Sequence, residues 1–307
     1  MTSFVELYDV ALLDLDGTVY VGPDAVPHAV ESLNAAASGG MRLLYTTNNA
    51  ARTPEDVASQ LRHLGLSTTA QDVVTSSVVA AQRVLADFGV GAKVLAVGGP
   101  GVGEALAAAG LDVVGRAADR PVAVVQGYGP DVSWRDLAEA AFAINAGARH
   151  IATNLDLTIP TSGGIAPGNG TLVRAVVTAT GVDPVVTGKP FRTMFDFVVA
   201  QTGARRALVI GDRLDTDIEG GRNADLDTLH VLTGVDGVSS LLAATPEFRP
   251  TYIARDLRAL FDEPTMATVT TEGSRCRDWV LGPDAVDDVG TSLHDGAVRA
   301  KHPVSAA

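Results

Sequence analysis

The chain has a single cysteine, three lysines and no long apolar run. Cys276 cannot form an internal disulfide, and no spacing of histidine and cysteine indicates a zinc site. No window holds the roughly 18 uninterrupted apolar residues that a membrane span needs. The N-terminus carries acidic residues where a secretory signal would carry basic ones. We therefore expect a cytoplasmic protein with no membrane partner.

Positive charge is also scarce. The 307 residues include 23 Lys and Arg against 36 Asp and Glu, which gives a net charge of −13. Nucleic acids and anionic membranes both require clustered positive charge, so neither is expected as a partner. Because the only lysines are Lys93, Lys189 and Lys301, the chain otherwise uses arginine. An anionic ligand would have to be neutralised by local groups or by a metal.

Apolar β-type segments alternate with Ala- and Leu-rich helical segments as far as about residue 260. This alternation predicts an α/β fold with a mostly parallel sheet. Val73–Ala86 is predicted to be helical and Ile159–Gly170 to be a long loop. Beyond residue 262 the pattern fades, apart from a short predicted strand at Trp279–Leu281. Strands are also predicted at Asp9–Leu15, Arg42–Tyr45, Lys93–Val97, Ala123–Gln126, His150–Thr153, Val185–Val186, Ala207–Ile210 and Thr228–Val231.

The first motif with catalytic potential is Asp14-Leu15-Asp16-Gly17-Thr18, directly after an apolar strand. Open α/β sheets bind their ligands at the carboxyl ends of strands. One carboxylate could act as a nucleophile and the second could protonate a leaving alkoxide. The alternative is an acidic pair that only ends a strand and caps a turn.

Two further motifs also follow predicted strands. Thr47, Asn48 and Asn49 offer a hydroxyl and a loop of backbone N–H groups that could bind phosphate oxygens, although this motif taken alone favours an ordinary Asn-rich connection between a strand and a helix. Lys189, in Thr-Gly-Lys-Pro, is a compact point charge that suits a small phosphate. The alternative is that Lys189 is a solvated surface residue with no ligand.

The fourth motif runs from Gly211 to Asp217 and follows the apolar segment Ala207–Ile210. Asp212 and Asp217, together with Asp14 and Asp16, would make an oxygen-rich site of the kind that Mg²⁺ prefers. A structural reading is compatible with this one, because Asp215 or Thr216 could cap the helix that follows.

These four motifs, in this order, resemble the signature of the haloacid dehalogenase superfamily. Within it the chain is similar to the phosphatases whose cap domain is inserted between the second and third motifs, a group that includes phosphoglycolate, glycerol 3-phosphate, pyridoxal phosphate and 4-nitrophenyl phosphatases. The resemblance covers about residues 8–260 and includes Ala152–Asp156, Ile159–Gly170 and Val231–Val235. It implies a doubly wound, mostly parallel Rossmann-like core of residues 1–78 and 184–261. A smaller α/β cap would span residues 79–183, and residues 262–307 would form an extension.

The resemblance also implies roles for the individual residues. Asp14 would be the nucleophile of a Mg²⁺-dependent phosphomonoesterase, and Asp16 the general acid and later the base. The metal would be held by Asp14, the backbone carbonyl of Asp16, Asp212 and, through water, Asp217. Thr47, Asn48 and Asn49 would bind the phosphate, and Lys189 would neutralise it. A homodimer through the cap is a further expectation of this group.

Two other classes share part of this chemistry. A receiver-like signalling module also uses acids, Mg²⁺, Thr and Lys, but such modules are about half this length and their acidic pair is adjacent. A phosphomutase or phosphotransferase would use the same phosphoenzyme with an acceptor other than water. The substrate is expected to be a small phosphate ester. Pyridoxal phosphatases place a histidine where this chain has Ile159, so glycerol 3-phosphate is favoured, followed by phosphoglycolate or a broad range of esters.

Overall fold

A computed structural model describes residues 2–161, 163–266, 268–270, 273–276, 279–281 and 298–299. The helices of this part of the chain are α1 (Phe4–Leu7), α2 (Ala29–Ser38), α3 (Pro54–His63), α4 (Ser76–Phe88), α5 (Pro100–Ala108), α6 (Trp134–Asn145), α7 (Asn169–Thr180), α8 (Arg192–Thr202), α9 (Glu219–Asn223) and α10 (Val238–Ala243). A π-helical turn spans Leu214–Ile218, and short 3₁₀ turns lie at Ala70–Asp72, Ala117–Asp119, Pro246–Phe248 and Leu257–Phe261.

The strands, in chain order, are β1 (Val10–Leu13), β2 (Tyr20–Val21), β3 (Asp24–Ala25), β4 (Arg42–Thr47), β5 (Val73–Thr75), β6 (Lys93–Val97), β7 (Asp112–Val114), β8 (Ala123–Gln126), β9 (Arg149–Ala152), β10 (Thr158–Thr161), β11 (Gly164–Pro167), β12 (Val185–Val186), β13 (Ala207–Gly211), β14 (Asp227–Val231), β15 (Tyr252–Ala254), β16 (Thr265–Met266), β17 (Thr268–Thr270), β18 (Gly273–Cys276), β19 (Trp279–Leu281) and β20 (Val298–Arg299).

The chain divides into two compact units. The first contains residues 1–45, 61–68 and 198–307, and the second contains residues 46–60 and 69–197. Among the described residues, no helix combines the length and the apolar character needed to cross a membrane. The boundaries of core, cap and extension that the sequence suggests stay a prediction, and most of the extension lies outside the described residues.

The first unit is built on a largely parallel sheet. Strand β1 pairs in parallel with β13 on one side and with the first four residues of β4 on the other. Strands β13, β14 and β15 continue the sheet in parallel, and β20 adds an antiparallel strand beside β15. Every residue of β1 and β13 is buried, as expected for strands covered on both faces. The carboxyl ends of β1 and β13 therefore lie side by side.

The second unit has its own sheet of parallel strands in the order β12-β9-β8-β6-β7. Successive side chains of a strand point to opposite faces, so neighbouring residues enter different cores. Val94 packs in one cluster with residues of α4 and α5, whereas Leu95 packs in another with residues of α6 and α7. The predicted α/β fold, with helices on both faces of a parallel sheet, is therefore confirmed.

Two local predictions were wrong. Val73–Ala86 is not one helix, because its β-branched start forms β5 and Thr75 then caps α4 by accepting a hydrogen bond from the Val78 N–H at 3.3 Å. The predicted loop Ile159–Gly170 instead holds most of the antiparallel hairpin β10–β11 and the first two residues of α7. The predicted strand at Trp279–Leu281 is present as β19.

Candidate active site

The first acidic motif makes a tight turn at the end of β1. The Asp14 N–H donates to the Ile210 carbonyl at 2.8 Å, so this residue still belongs to the ladder with β13. The Leu15 carbonyl then accepts from the N–H groups of Val19 and Tyr20 at 2.8 and 3.1 Å. Asp14 is half-buried, whereas the Asp16 side chain is exposed. The turn thus places both acids at the carboxyl edge of the sheet, where Asp16 is more exposed to solvent than Asp14.

The second pair of acids follows β13, the neighbour of β1. Asp212 and Asp217 are fully buried, at 0% and 1% exposure. One Asp217 carboxylate oxygen accepts from the Arg213 N–H at 3.2 Å, which fixes the start of the π-helical turn. The predicted capping by Asp215 or Thr216 was wrong: neither caps this turn, and the Asp215 carboxylate instead binds the Arg213 guanidinium.

A loop that follows β14 holds the Asp212 carboxylate from the other side. The Val235 N–H donates to Asp212 Oδ2 at 2.7 Å, and the Thr18 hydroxyl donates to Oδ1 at 3.3 Å. The Asp236 N–H donates to the Asp212 carbonyl at 3.1 Å. Thr233 links the same loop to the first motif, because its hydroxyl donates to the Gly17 carbonyl at 2.6 Å. The Asp212 carboxylate is therefore oriented by backbone and hydroxyl donors of other segments rather than by the π-helical turn that follows it.

Glycines leave the space that these carboxylates occupy. A Cβ atom at Gly17 or Gly234 would overlap the Asp212 carboxylate, and one at Gly211 would overlap the Asp217 carboxylate. Gly17 also has φ +87°, a conformation that other residues rarely adopt. The two motifs and the loop after β14 can approach one another only because these positions lack side chains.

Asp14, Asp212 and Asp217 form a group of carboxylates that could hold a cation. One carboxylate oxygen from each lies within 4.8 Å of the other two. Carboxylates at that separation repel one another unless a cation lies between them. Mg²⁺ binds few carboxylates and completes its shell with water and phosphate oxygens, so this donor set fits it. The Asp16 carboxylate does not join the three, and the proposed role of its carbonyl stays a prediction.

The predicted phosphate-binding loop belongs to the second unit. Thr47 is the last residue of β4, and its Oγ1 accepts from the Asn49 N–H at 3.0 Å. Asn49 Oδ1 in turn accepts from the Ala51 N–H at 3.1 Å, so two side chains tighten the loop.

Lys189 lies in this unit as well and is only 3% exposed. Its ammonium donates to the Thr46 carbonyl at 3.3 Å. The reading of Lys189 as a solvated surface residue is therefore excluded. The Asn48 side chain bonds the backbone of Lys189 at both the N–H and the carbonyl. Ile159, the predicted specificity residue, is half-buried on β10 opposite Ala166.

Comparison with known proteins agrees with this geometry. A model of haloacid dehalogenase-like hydrolases matches residues 11–112, and a second model of HAD-like hydrolases matches residues 186–260. The chain is 47% identical, over 89% of its length and 76% of the relative's, to a D-glycerol 3-phosphate phosphatase of Mycobacterium tuberculosis. The chain belongs to the haloacid dehalogenase-like hydrolases.

Two more relatives support the assignment of the chain to this family. An acid sugar phosphatase of Staphylococcus saprophyticus is 36% identical over 83% of this chain and 98% of its own. The crystal structure of a glycerol phosphate phosphatase from Mycobacterium tuberculosis, solved in complex with magnesium, has a TM-score of 0.81 and 44% identity over 94% of this chain and 88% of its own. The predicted superfamily and enzyme class, a phosphoric monoester hydrolase, are confirmed, and the magnesium prediction is confirmed for the family.

The residues that hold Asp212 were not predicted from the sequence motifs of this hydrolase. The segment Val231–Val235 matches the superfamily, but the sequence gives no role for Thr233 or Gly234. The buried His230 stabilises the same loop, since its Nε2 lies 2.8 Å from the Asp236 carbonyl. Burial lowers the pKa of His230. It is therefore expected to be neutral at pH 7 and to donate to that carbonyl.

Proposed function

We propose that this hydrolase cleaves glycerol 3-phosphate with Mg²⁺ through an aspartyl-phosphate on Asp14. The observation that carries the proposal is the cluster of Asp14, Asp212 and Asp217 at the ends of two adjacent parallel strands. The similarity to a D-glycerol 3-phosphate phosphatase at 47% identity supports the choice of substrate. Phosphoglycolate and a broad set of sugar phosphates are the alternatives, the latter supported by the acid sugar phosphatase relative.

The reaction divides into two displacements at phosphorus. In the first, an Asp14 carboxylate oxygen attacks phosphorus, the bond to the glycerol oxygen breaks, and the Asp16 carboxyl gives that oxygen a proton. In the second, the Asp16 carboxylate takes a proton from water as the water oxygen attacks the aspartyl-phosphate. The bond between phosphorus and Asp14 then breaks, and inorganic phosphate leaves. A phosphotransferase would replace this water with an alcohol.

The remaining residues neutralise and orient the phosphate. Asp14, Asp212 and Asp217 would hold Mg²⁺, which would supply positive charge near the phosphate oxygens. The Thr47 hydroxyl, the Asn48 backbone N–H and the Asn49 side-chain amide are proposed to donate to these oxygens, and Lys189 adds an ammonium. Its burial supports this role, because a charge removed from water interacts more strongly with its partner. Phosphoryl transfer depends on positioning and charge neutralisation more than on any other device.

A panel of esters tests the substrate. We expect kcat/KM to be highest for glycerol 3-phosphate when it is measured beside phosphoglycolate, sugar phosphates and 4-nitrophenyl phosphate. Ile159→His should change the order of preference more than it changes turnover of 4-nitrophenyl phosphate. An equal loss on every ester would contradict the proposed role of Ile159 in specificity. A different preferred ester would contradict glycerol 3-phosphate as the substrate.

Chelation tests the cation. EDTA should abolish turnover and Mg²⁺ should restore it, whereas Ca²⁺ should not support it, because its looser coordination tolerates poor in-line geometry. Full activity in excess chelator would contradict the metal site.

The domain organisation and the assembly state complete the proposal. We propose the core and cap boundaries given above, with residues 79–183 closing over the substrate, and a homodimer formed through the cap. Sedimentation velocity over a concentration series measures the assembly state. A monomer at every concentration would exclude the dimer without affecting the proposed chemistry.

A further inference from the structure

Both ends of the Asn48 side chain bind the backbone of one other residue. Asn48 Oδ1 accepts from the Lys189 N–H at 2.8 Å, and Nδ2 donates to the Lys189 carbonyl at 2.9 Å. The second Nδ2 hydrogen lies toward the Asp156 carboxylate, at 3.4 Å from Oδ2. An amide side chain has two N–H donors and one oxygen acceptor. All three are used within the protein.

Asn48 is itself held in place by the second unit. Its carbonyl accepts from the Ser76 hydroxyl at 3.0 Å and from Asn154 Nδ2 at 2.8 Å. The Asn154 carbonyl accepts in turn from Asn169 Nδ2 at 2.8 Å. Asn154 and Asn169 are 4% and 1% exposed, so water competes little for these bonds. The bridge from Asn48 to Lys189 therefore starts from a fixed backbone.

Gly188, the residue before Lys189, leaves room for the contact between Asn48 and Lys189. A Cβ atom at Gly188 would crowd Asn48 Oδ1 and overlap the Thr153 carbonyl. Only a glycine at this position leaves room for the Asn48 side chain to reach both backbone groups of Lys189.

We propose that Asn48 is a positioning residue that sets the placement of the Lys189 ammonium, and that its side chain does not bind phosphate. The inference rests on the proposed function, in which Lys189 neutralises the phosphate. A phosphate oxygen needs a hydrogen-bond donor, and both donors of this amide already have protein partners. Direct binding would break the bond to the Lys189 carbonyl or the one to Asp156.

Lysine labelling tests the inference without any substrate. With three lysines in the chain, acetylation by a limiting amount of acetic anhydride can be followed site by site by mass spectrometry. Lys189 is buried, and the exposed Lys93 provides an internal reference. Asn48→Ala removes both hydrogen bonds to the Lys189 backbone, so the labelling rate of Lys189 relative to Lys93 should rise about tenfold or more.

Asn34→Ala is the matched control. Asn34 also joins two backbone groups, since Nδ2 donates to the Gly65 carbonyl at 2.9 Å and Oδ1 accepts from the Ser67 N–H at 3.3 Å. Its loss should leave the labelling ratio of Lys189 unchanged. If Asn48→Ala does not fold, Asn48→Asp serves instead, because it keeps an acceptor for the Lys189 N–H and loses the donor. An unchanged ratio in a folded Asn48 variant overturns the inference.

A double-mutant cycle with Lys189→Met supplies the kinetic readout. If Asn48 acts through Lys189, Asn48→Ala should reduce kcat/KM in the wild type and have little further effect in the Lys189→Met background. Additive losses would indicate that Asn48 binds phosphate itself and would overturn the inference. Failure of the proposed function is distinguishable, because wild-type protein that hydrolyses no ester could still show the labelling difference.

Discussion

The acid cluster of the first unit and the lysine loop of the second hold their charged groups in different ways. In the first unit, backbone N–H groups and hydroxyls bind the functional carboxylates directly, as Val235 and Thr18 do with Asp212. In the second, the side chain of Asn48 binds the backbone that carries the charged residue. Acids are thus oriented through their own oxygens, whereas Lys189 is held through its main chain as well as through its ammonium. Substitutions in the two regions should therefore affect the activity of the enzyme in different ways.

The largest effect is expected at the acid proposed as nucleophile. Asp14→Asn replaces the attacking oxygen with an amide that cannot form the phosphoenzyme, and kcat should fall by about 10³-fold or more. Circular dichroism should be unchanged and the melting temperature should change little, because the Asp14 N–H keeps its hydrogen bond to the Ile210 carbonyl of β13. A variant that keeps a tenth of the wild-type kcat would remove Asp14 from this role.

Asp16 should have the next largest effect, with a signature that depends on the leaving group. Asp16→Asn should lower steady-state turnover by about 10²- to 10⁴-fold on both ester types. With 4-nitrophenyl phosphate, whose leaving group needs no proton, rapid quench should show a burst near one equivalent. With glycerol 3-phosphate no burst is expected. Equal bursts on both esters, or none on either, would contradict the double role.

The loop after β14 offers a smaller and more selective test. Gly234→Ala places a Cβ where the Asp212 carboxylate lies, so kcat or Mg²⁺ affinity should fall by about 10- to 100-fold. Gly237→Ala is the control from the same loop, since a Cβ there meets nothing within 4 Å. Activity should be titrated with Mg²⁺ for both. Equal behaviour of the two variants would show that the loop does not position Asp212.

The smallest effect concerns stability, and here the two units should behave alike. His230 in the first unit and His150 in the second both have a pKa lowered by burial. In the unfolded chain a histidine takes up a proton below about pH 6.5, whereas these two resist it in the folded state. The free energy of unfolding should therefore fall as the pH falls below that value, by at most about 1.4 kcal/mol per pH unit for each histidine.

Thermal melts between pH 7.5 and 5.5 check this sign. His150→Gln and His230→Gln should each flatten the acid loss of melting temperature, and the exposed His63→Gln should not. An acid loss that is unchanged in both variants would assign the effect to other groups.

The sequence predicts the functional motifs better than it predicts their neighbours. Asp14, Lys189 and Asp212 follow apolar segments, and that pattern can be recognised in the amino-acid sequence. The hairpin β10–β11 was not predicted because its glycines and its two prolines are typical of a loop. The contacts of Asn48 and Gly234 could not be foreseen either, because each is with a residue distant in sequence. Such contacts depend on tertiary packing, which leaves no local periodicity.

The hairpin β10–β11 has a consequence for how this enzyme can change. Its shape is kept by main-chain pairing and by the Thr171 hydroxyl, which donates to the Leu157 carbonyl at 2.6 Å. Several of its side chains are exposed, and Ile165 has 75% of its surface in solvent. Replacing such side chains costs little folding energy. Directed evolution confined to Ile159 and Ile165 could therefore sample many variants that still fold.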